Sequence, residues 1–147
     1  EGIIFMNNSF PILLEVGVKA FLYEKPGEFL MLKRSTPYHN QKICKWDIPG
    51  GRIKPGEKIE KALKRGIIEE TDLVLERIEK ILAVQDILKL PEKHIVRITY
   101  LAKCKKGKVK IDPKEHSDYM WKNLNDLRKY KMDSFLSPVI KQLETLK

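Results

Sequence analysis

Cysteine is scarce in this chain, which has only Cys44 and Cys104 among its 147 residues. Two cysteines are too few for a disulfide framework, so the fold must depend on a hydrophobic core, and we expect a reducing, cytoplasmic environment. We interpret each thiol as a small buried or half-buried apolar group rather than a reactive nucleophile.

Long apolar runs are also missing. The hydrophobic stretches are short and interrupted by charge, which excludes an ordinary membrane-spanning helix and predicts no membrane partner. No segment near the start combines a basic region, an apolar core and a cleavage site, so we expect no secretory leader. Residues 1–5 precede Met6, and we interpret them as added sequence ahead of one domain at residues 6–147.

Acidic residues are outnumbered, with 20 Asp and Glu against 29 Lys and Arg and a net charge of +9. This excess predicts anionic partners, and lysines are concentrated at residues 103–108. A solvated sheet edge is the favoured explanation for them. The alternative is a positive rim that attracts a polyphosphate or an RNA end. No pattern of stacking aromatic residues accompanies the lysines, so sequence-specific RNA recognition is not expected.

Hydrophobic periodicity predicts strands on both sides of one central helix. A polar loop is expected from Ser35 to Lys45, and the Ser137-Pro138 pair predicts the start of a last helix with Ile140, Leu143 and Leu146 facing inward. Strands before and after one helix, with helices at the end, indicate a single α/β (α+β) domain around a mixed sheet. The predicted strands are 16–23, 29–33, 81–90, 94–103, 108–111 and 118–121, and the predicted helices are 57–72, 124–130 and the segment after 137.

The segment from Gly50 to Leu73 carries most of the chemistry. If successive residues are placed about 100° apart, Glu70 lies within the apolar arc of the central helix, about 20° from Ile59. An unpaired carboxylate on a buried face costs several kcal/mol, so it needs a cation or strong donors. A divalent metal with oxygen ligands, of the kind that Mg²⁺ selects, is the most economical explanation. The glycine turn before the helix would let the backbone approach a phosphate. The apolar arc contains Ala62, Leu63, Gly66, Ile67 and Leu73.

The segment has glycine at 51, glutamates at 57, 69 and 70, arginine at 65 and apolar residues at 67 and 73. In this pattern it resembles the box of the Nudix hydrolases, in particular the MutT-like members. The family pattern is Gly, five residues, Glu, seven residues, then Arg-Glu-apolar-x-Glu-Glu-x-Gly-apolar. The preceding residues 46–50 also resemble the usual lead-in to the box. The resemblance implies an α/β/α sandwich around a mixed β-sheet. The matching positions are Gly51, Glu57, Arg65, Ile67, Glu69, Glu70 and Leu73.

Two positions depart from the family pattern. Gly66 stands where the family has Glu, which removes a ligand-type carboxylate and costs the helix about 1 kcal/mol relative to alanine. A specialised site, a degenerate site or a substitution that weakens turnover would each explain it. Asp72 stands where the family has Gly, and Asp tolerates the left-handed conformation that often ends a helix.

The resemblance also implies roles for individual residues. Glu69 and Glu70 would be catalytic metal ligands, with the backbone carbonyl of Gly50 as a further ligand and Arg65 bracing Glu57 or Glu69. Glu115 corresponds best to a late functional carboxylate of the family, a metal ligand or base, although a solvated loop carboxylate explains it equally well. His116 is an alternative base because its unperturbed pKa is near neutrality. The expected ion is Mg²⁺, with Mn²⁺ as the alternative.

Candidate substrate-binding residues lie around the box. Lys33 and Arg34 end the second predicted strand and could reach phosphates, and Gly51 lies in the glycine turn. Trp46 could stack on a base, although packing is the favoured interpretation of a tryptophan beside such a turn.

These observations favour Mg²⁺-dependent hydrolysis of a diphosphate bond in a nucleoside diphosphate linked to another moiety. Nucleoside triphosphates, ADP-ribose and nucleotide sugars are examples of such a nucleotide substrate. The main alternative is a catalytically weakened nucleotide-binding module, which Gly66 keeps open. An RNA end is a less favoured partner. The segment at residues 7–14 leaves a homodimer open.

Overall fold

The computed structural model describes residues 3–7, 10–37 and 43–146, and within it the side chains of residues 12–37 and 43–146. Residues 8–9 and part of the predicted Ser35–Lys45 loop, at 38–42, lie outside the described residues. In the described residues, five strands are followed by one helix, three further strands and two helices. The elements are β1 (Ile3–Asn7), β2 (Phe10–Tyr23), β3 (Phe29–Arg34), β4 (Trp46–Asp47), β5 (Gly50–Arg52), α1 (Ile59–Thr71), β6 (Leu75–Ile87), β7 (Lys93–Cys104), β8 (His116–Lys122), α2 (Leu124–Leu127) and α3 (Leu136–Thr145).

The strands form two sheets. In the larger one the order is β1-β2-β7-β6, with β5 also paired to β2, and the smaller one has the order β4-β3-β8. β2 and β7 run parallel, from Leu13 beside Lys93 to Tyr23 beside Lys103. The other pairs in both sheets are antiparallel. The predicted single domain with a mixed sheet is therefore confirmed.

The hydrophobic core has two parts, which lie on opposite faces of β2. Val18, Ala20 and Leu22 belong to the part that contains the buried residues of α1. Phe21 points the other way, into the part formed with α2 and α3. Alternate residues of a strand face opposite sides of a sheet, so this pattern places a helical layer on each face. The central helix is thereby fixed against β2 and β5, where the candidate site lies.

Several local predictions were wrong. α1 begins at Ile59, so Glu57 precedes it, and the extended backbone of Lys58 occupies the N-cap. Residues 108–111 form no strand, because the Lys110 N–H is used to cap α1 by donating to the Thr71 carbonyl at 2.9 Å. α3 begins at Leu136 rather than at Ser137.

The start and the exposed end of α3 have clear physical causes. The carboxylate of Asp133 accepts a hydrogen bond from the Phe135 N–H at 2.9 Å, and its carbonyl accepts one from the Leu136 N–H at 3.0 Å. Asp133 therefore takes the capping role expected of Ser137. Leu146 lies at the C-cap and is 46% exposed, so it does not face inward as predicted, whereas Ile140 and Leu143 are buried.

Asp72 ends α1 in the expected way. Its φ of 62° and ψ of 13° are left-handed, and its N–H donates to the Ile68 carbonyl at 2.9 Å. The prediction that Asp takes over a position of glycine-like geometry is confirmed. Among the described residues, no helix has the length and apolar character needed to cross a membrane.

Candidate functional site

The site is organised by a contact between α1 and β5. Glu70 lies on the inner face of α1, its side chain is only 17% exposed, and its Oε1 accepts a hydrogen bond from the Gly50 N–H at 2.8 Å. Burial raises the pKa of Glu70, and the carboxylates of Asp47 and Glu115 add to the rise, against the opposing effects of Lys19 and the Gly50 amide. A carboxylate held in this way has a free oxygen and an environment that favours a nearby cation.

Two residues from a distant part of the chain complete a cluster with Glu70. One ligand-type atom from each of Glu70, Glu115 and His116 lies within 4.8 Å of the others. A turn brings them there, because the Asp112 carbonyl accepts hydrogen bonds from the N–H groups of Glu115 at 3.0 Å and His116 at 2.8 Å. Two carboxylates and an imidazole are a donor set that suits a divalent cation.

His116 is the most buried member of this cluster. It is 6% exposed, and its Nδ1 has no hydrogen-bond partner among the described residues. Its Nε2 lies 3.8 Å from Glu70 Oε2, beyond hydrogen-bonding distance. Burial, with the positive charges of Lys19 and Arg34, lowers the pKa of His116 to about 4. The imidazole is therefore neutral at physiological pH, the form that binds metal ions.

Arg65 connects Glu57, which precedes α1, to Glu69, which lies at the edge of the site. Its Nε and Nη2 donate to the two carboxylate oxygens of Glu57 at 2.8 and 2.9 Å, and its Nη1 contacts Glu69 Oε1 at 3.1 Å. Nη2 also donates to the Arg52 carbonyl at 2.7 Å. The hydrogen bonds from Arg65 are the main reason why the pKa of Glu57 falls to about 2. Arg65 thus braces both of the glutamates that the sequence offered as alternatives.

Glu69 has a different environment from Glu70. Its side chain is 57% exposed and bonded to Arg65, and it does not belong to the cluster of Glu70, Glu115 and His116. It borders the cleft that opens above that cluster. This cleft has a volume of about 400 Å³ and is lined by Gly50, Gly51, Arg52, Lys54, Arg65, Glu69, Glu70, Asp112 and Glu115.

The other predicted substrate-binding residues lie away from the cleft lining. Arg34 pairs with His116 across β3 and β8, so it neighbours the cluster without lining the cleft. Trp46 is 8% exposed and packs at 6.0 Å, edge to face, against Tyr130, as the packing interpretation expected. The Nζ of Lys33 lies 6.0 Å from the Trp46 ring. Gly51 alone of the predicted substrate-binding group lines the cleft.

Sequence reasoning missed a buried charge network next to the site. Lys19, whose side chain is 17% exposed, donates from Nζ to the Ile48 carbonyl at 3.1 Å and lies 3.5 Å from Asp47 Oδ2. Asp47 Oδ1 in turn accepts a hydrogen bond from Arg97 at 2.9 Å. The only indication in the sequence was a single lysine in the apolar run from Val16 to Leu22. Arg52, Lys54 and Asp112, which line the cleft, were also missed.

The structure gives Gly66 a packing role that the sequence did not suggest. A β-carbon at residue 66 would lie 2.7 Å from both the carbonyl carbon and the oxygen of Gly50, and 2.9 Å from the Gly51 nitrogen. Real β-carbons do not approach backbone so closely, so glycine is what allows α1 and β5 to touch. Glycine lowers the stability of the helix, but it permits this contact. At the contact, the Gly50 N–H donates a hydrogen bond to Glu70.

We expect Gly66→Ala to lower the free energy of unfolding by about 1–3 kcal/mol, because overpacking against rigid backbone outweighs the helix propensity of alanine. Denaturant unfolding would measure the change. Gly17→Ala is the matched control, since a β-carbon at residue 17 meets its nearest atom, on the flexible Arg52 side chain, at 3.4 Å. If Gly66→Ala stabilised the protein instead, the contact between α1 and β5 would have space for a β-carbon.

The candidate site thus combines a largely buried carboxylate on α1, the glycines of β5 and Arg65 beside a polar cleft. Residues 13–143 match the NUDIX domain, and the chain belongs to this family. The fold agrees with solved structures of the same family. A MutT NUDIX hydrolase from Burkholderia pseudomallei is 28% identical with a TM-score of 0.76, covering 88% of this chain and 98% of that one.

Two further similar proteins are named for a nucleotide or were solved with one. The 8-oxo-dGTP diphosphatase of Buchnera aphidicola is 36% identical over 83 residues, which is 56% of this chain and 64% of that protein. The NUDIX domain of Shewanella oneidensis NrtR, solved with ADP ribose, is 25% identical with a TM-score of 0.69, covering 92% of this chain and 89% of that one. The matched segments span between 21% and 64% of the length of the curated relatives.

Proposed function

We propose that this protein hydrolyses a diphosphate bond in a nucleoside diphosphate linked to another moiety, with a divalent metal ion. The observation that carries the proposal is the placement of Glu70. Its buried carboxylate is fixed by the Gly50 N–H and lies beside Glu115 and His116 at the base of a cleft large enough for a diphosphate group.

The residues present fit a bound metal ion. Glu70 and Glu115 would hold it, together with the backbone carbonyl of Gly50, while Glu69 would contribute from the cleft edge. If oxygen atoms alone bind the ion, Mg²⁺ is the expected species and Mn²⁺ the alternative. When bound, the ion would neutralise phosphate charge and lower the pKa of a bound water.

The remaining groups of the cleft would bind and orient the substrate. Arg52 and Lys54 line it and offer positive charge to the phosphates, with Arg able to donate two parallel hydrogen bonds. Arg65 would keep Glu57 and Glu69 in place rather than touch the substrate, because its donors are already engaged. The exposed carboxylate of Glu115 is suited to accept a proton from the attacking water. We place Lys33 and Arg34 in a supporting role, as positive charge near the cluster.

The relatives favour a nucleotide substrate. The Buchnera protein's name favours a nucleoside triphosphate with an oxidised base as the default, in keeping with a MutT-like enzyme. The Shewanella complex favours ADP-ribose as the second choice. The two share a nucleoside diphosphate group, which is the part that the cleft would recognise.

The second candidate is a nucleotide-binding module with little turnover, and Gly66 is the observation that favours it. In the family pattern this position is Glu, so Gly66 leaves the site one carboxylate short. The packing of Gly66 against Gly50 shows that Glu cannot be introduced at residue 66 without moving β5. Restoring the family residue by mutation is therefore expected to disturb the site rather than to rescue it.

The test is a panel of oxidised and ordinary nucleoside triphosphates, ADP-ribose and nucleotide sugars, incubated with the protein and Mg²⁺ or Mn²⁺. We expect release of a nucleoside monophosphate from at least one of them, and loss of release after chelation. Tight binding of a nucleotide without any cleavage in either metal would instead support the binding module. An RNA end-binding role predicts affinity that falls steeply with salt, which the same protein can be tested for.

A further inference from the structure

The buried ring of His116 has an unpaired nitrogen among the described residues. Its ring is 6% exposed, and Nδ1 has no hydrogen-bond partner among the described residues. An unpaired polar nitrogen in a buried position destabilises the fold. A histidine that only fills space in the core would be expected to spend its nitrogens on protein groups. Among the described residues, His116 therefore does not behave as such a space-filling histidine.

The other ring nitrogen, Nε2, faces the carboxylates of the cluster. Nε2 lies 3.8 Å from Glu70 Oε2, too far for a hydrogen bond but close enough for one ion to contact both atoms. Glu115 brings a second carboxylate to the same point, within 4.8 Å of the other two residues. The hydrogen bonds of the Asp112 turn fix the backbone of Glu115 and His116 at this point.

We propose that His116 is a nitrogen ligand of the metal ion, so that this site selects a first-row transition ion such as Mn²⁺ over Mg²⁺. Imidazole suits transition ions, whereas Mg²⁺ prefers an all-oxygen environment and keeps several of its waters. The inference rests on the metal-dependent function proposed above. It replaces the expectation of an oxygen-only site with a mixed one, in which Gly66 leaves out a carboxylate and His116 adds a nitrogen.

The experiment is metal binding to the intact protein, without substrate. Mn²⁺ affinity would be measured by electron paramagnetic resonance, Mg²⁺ affinity by competition, and the coupling of bound Mn²⁺ to a nearby nitrogen by pulsed resonance. We expect the unmodified protein to show imidazole nitrogen coupling. His116→Gln should lose this coupling and bind Mn²⁺ about tenfold more weakly or worse, while its Mg²⁺ affinity changes less than the Mn²⁺ affinity.

His94→Gln is the matched control, because His94 is partly exposed and paired with Asp86 outside the cluster. It should retain both the nitrogen coupling and the Mn²⁺ affinity. Absence of nitrogen coupling in the unmodified protein would overturn the proposal without any need for a folded variant, as would failure to bind Mn²⁺. An equal loss of both metals in His116→Gln would also overturn it.

The binding results and the hydrolysis panel can fail separately. Nitrogen coupling and Mn²⁺ selectivity in a protein that cleaves none of the nucleotides would support the ligand role of His116 and count against the enzyme. Cleavage that runs equally well with Mg²⁺, without nitrogen coupling, would support the enzyme and reject the ligand role.

Discussion

Glu70→Gln is expected to lower kcat for metal-dependent hydrolysis by about a thousandfold or more. A bound metal ion contributes several kcal/mol to the stabilisation of transition-state charge, and about 4 kcal/mol corresponds to a thousandfold in rate. Glu70 is the most buried carboxylate of the cluster, so no exposed neighbour can replace it without moving α1 or β5. Activity of the variant should be measured against substrate concentration, so that a loss in kcat is separated from a rise in KM.

The same variant should fold normally. The Gln carbonyl can still accept the hydrogen bond from the Gly50 N–H that Glu70 Oε1 accepts at 2.8 Å. Burial raises the pKa of Glu70, which means that holding its charge in the fold has a cost, and Gln removes that charge. We therefore expect the free energy of unfolding without metal to stay the same or rise, and the stabilisation by added metal to disappear.

Glu60→Gln is the control for this experiment, since Glu60 lies on the same helix with its side chain exposed. It should keep both activity and the response of thermal stability to metal. Undiminished hydrolysis by Glu70→Gln would mean that the metal site is assigned to the wrong residues.

Arg97→Met is expected to lower the free energy of unfolding by about 3–5 kcal/mol, because it leaves a buried carboxylate without its main partner. Arg97 is 4% exposed and Asp47 2% exposed, and their hydrogen bond is 2.9 Å long. Asp133 lies 3.7 Å from Arg97 Nη1 and would lose the same charge. Lys19, 3.5 Å from Asp47, compensates only in part. Equilibrium denaturant unfolding measures the loss directly.

Arg128→Met makes the same chemical change at the surface. Arg128 pairs with Glu144, but its side chain is 63% exposed, so the expected loss is below about 1 kcal/mol. Similar effects of the two substitutions would show that the buried network contributes no more than an exposed ion pair.

Asp47 also makes the free energy of unfolding depend on pH. Burial alone would raise its pKa, but Lys19 and Arg97 outweigh burial and lower the pKa to about 2, against about 3.9 in an unfolded chain. A group whose pKa is depressed by folding stabilises the fold above its unfolded pKa, and this contribution is lost as pH falls toward the folded value. Stability of the unmodified protein should therefore fall between about pH 4 and pH 2, and Asp47→Asn should make that fall shallower.

Local patterns in the chain were sufficient for the central features of the fold. Helical periodicity placed Glu70 on the inner face of α1, because the positions of residues on a helix follow from their spacing alone. The left-handed end at Asp72 followed from the preferences of one residue type. The order of strands and helices was enough to predict a mixed sheet. The spacing of the box residues was enough to predict the family. The ends of helices and strands did not follow from local patterns in the same way. The start of α3 depends on the hydrogen bonds of Asp133 rather than on the nearby Ser137-Pro138 pair.

The composition of the site was decided by contacts between distant parts of the chain. The register of β8 against β3 places His116 and Glu115 beside Glu70, and the parallel pairing of β2 with β7 closes the network of Lys19, Asp47 and Arg97.

By itself, the sequence determined which helix carries the proposed metal-binding carboxylate, because that depends on periodicity within one element. Only the tertiary structure decided that a neutral imidazole shares the site and that Gly66 makes room for Gly50. Both depend on the distance between separate elements, which packing and strand register set and which no local pattern encodes.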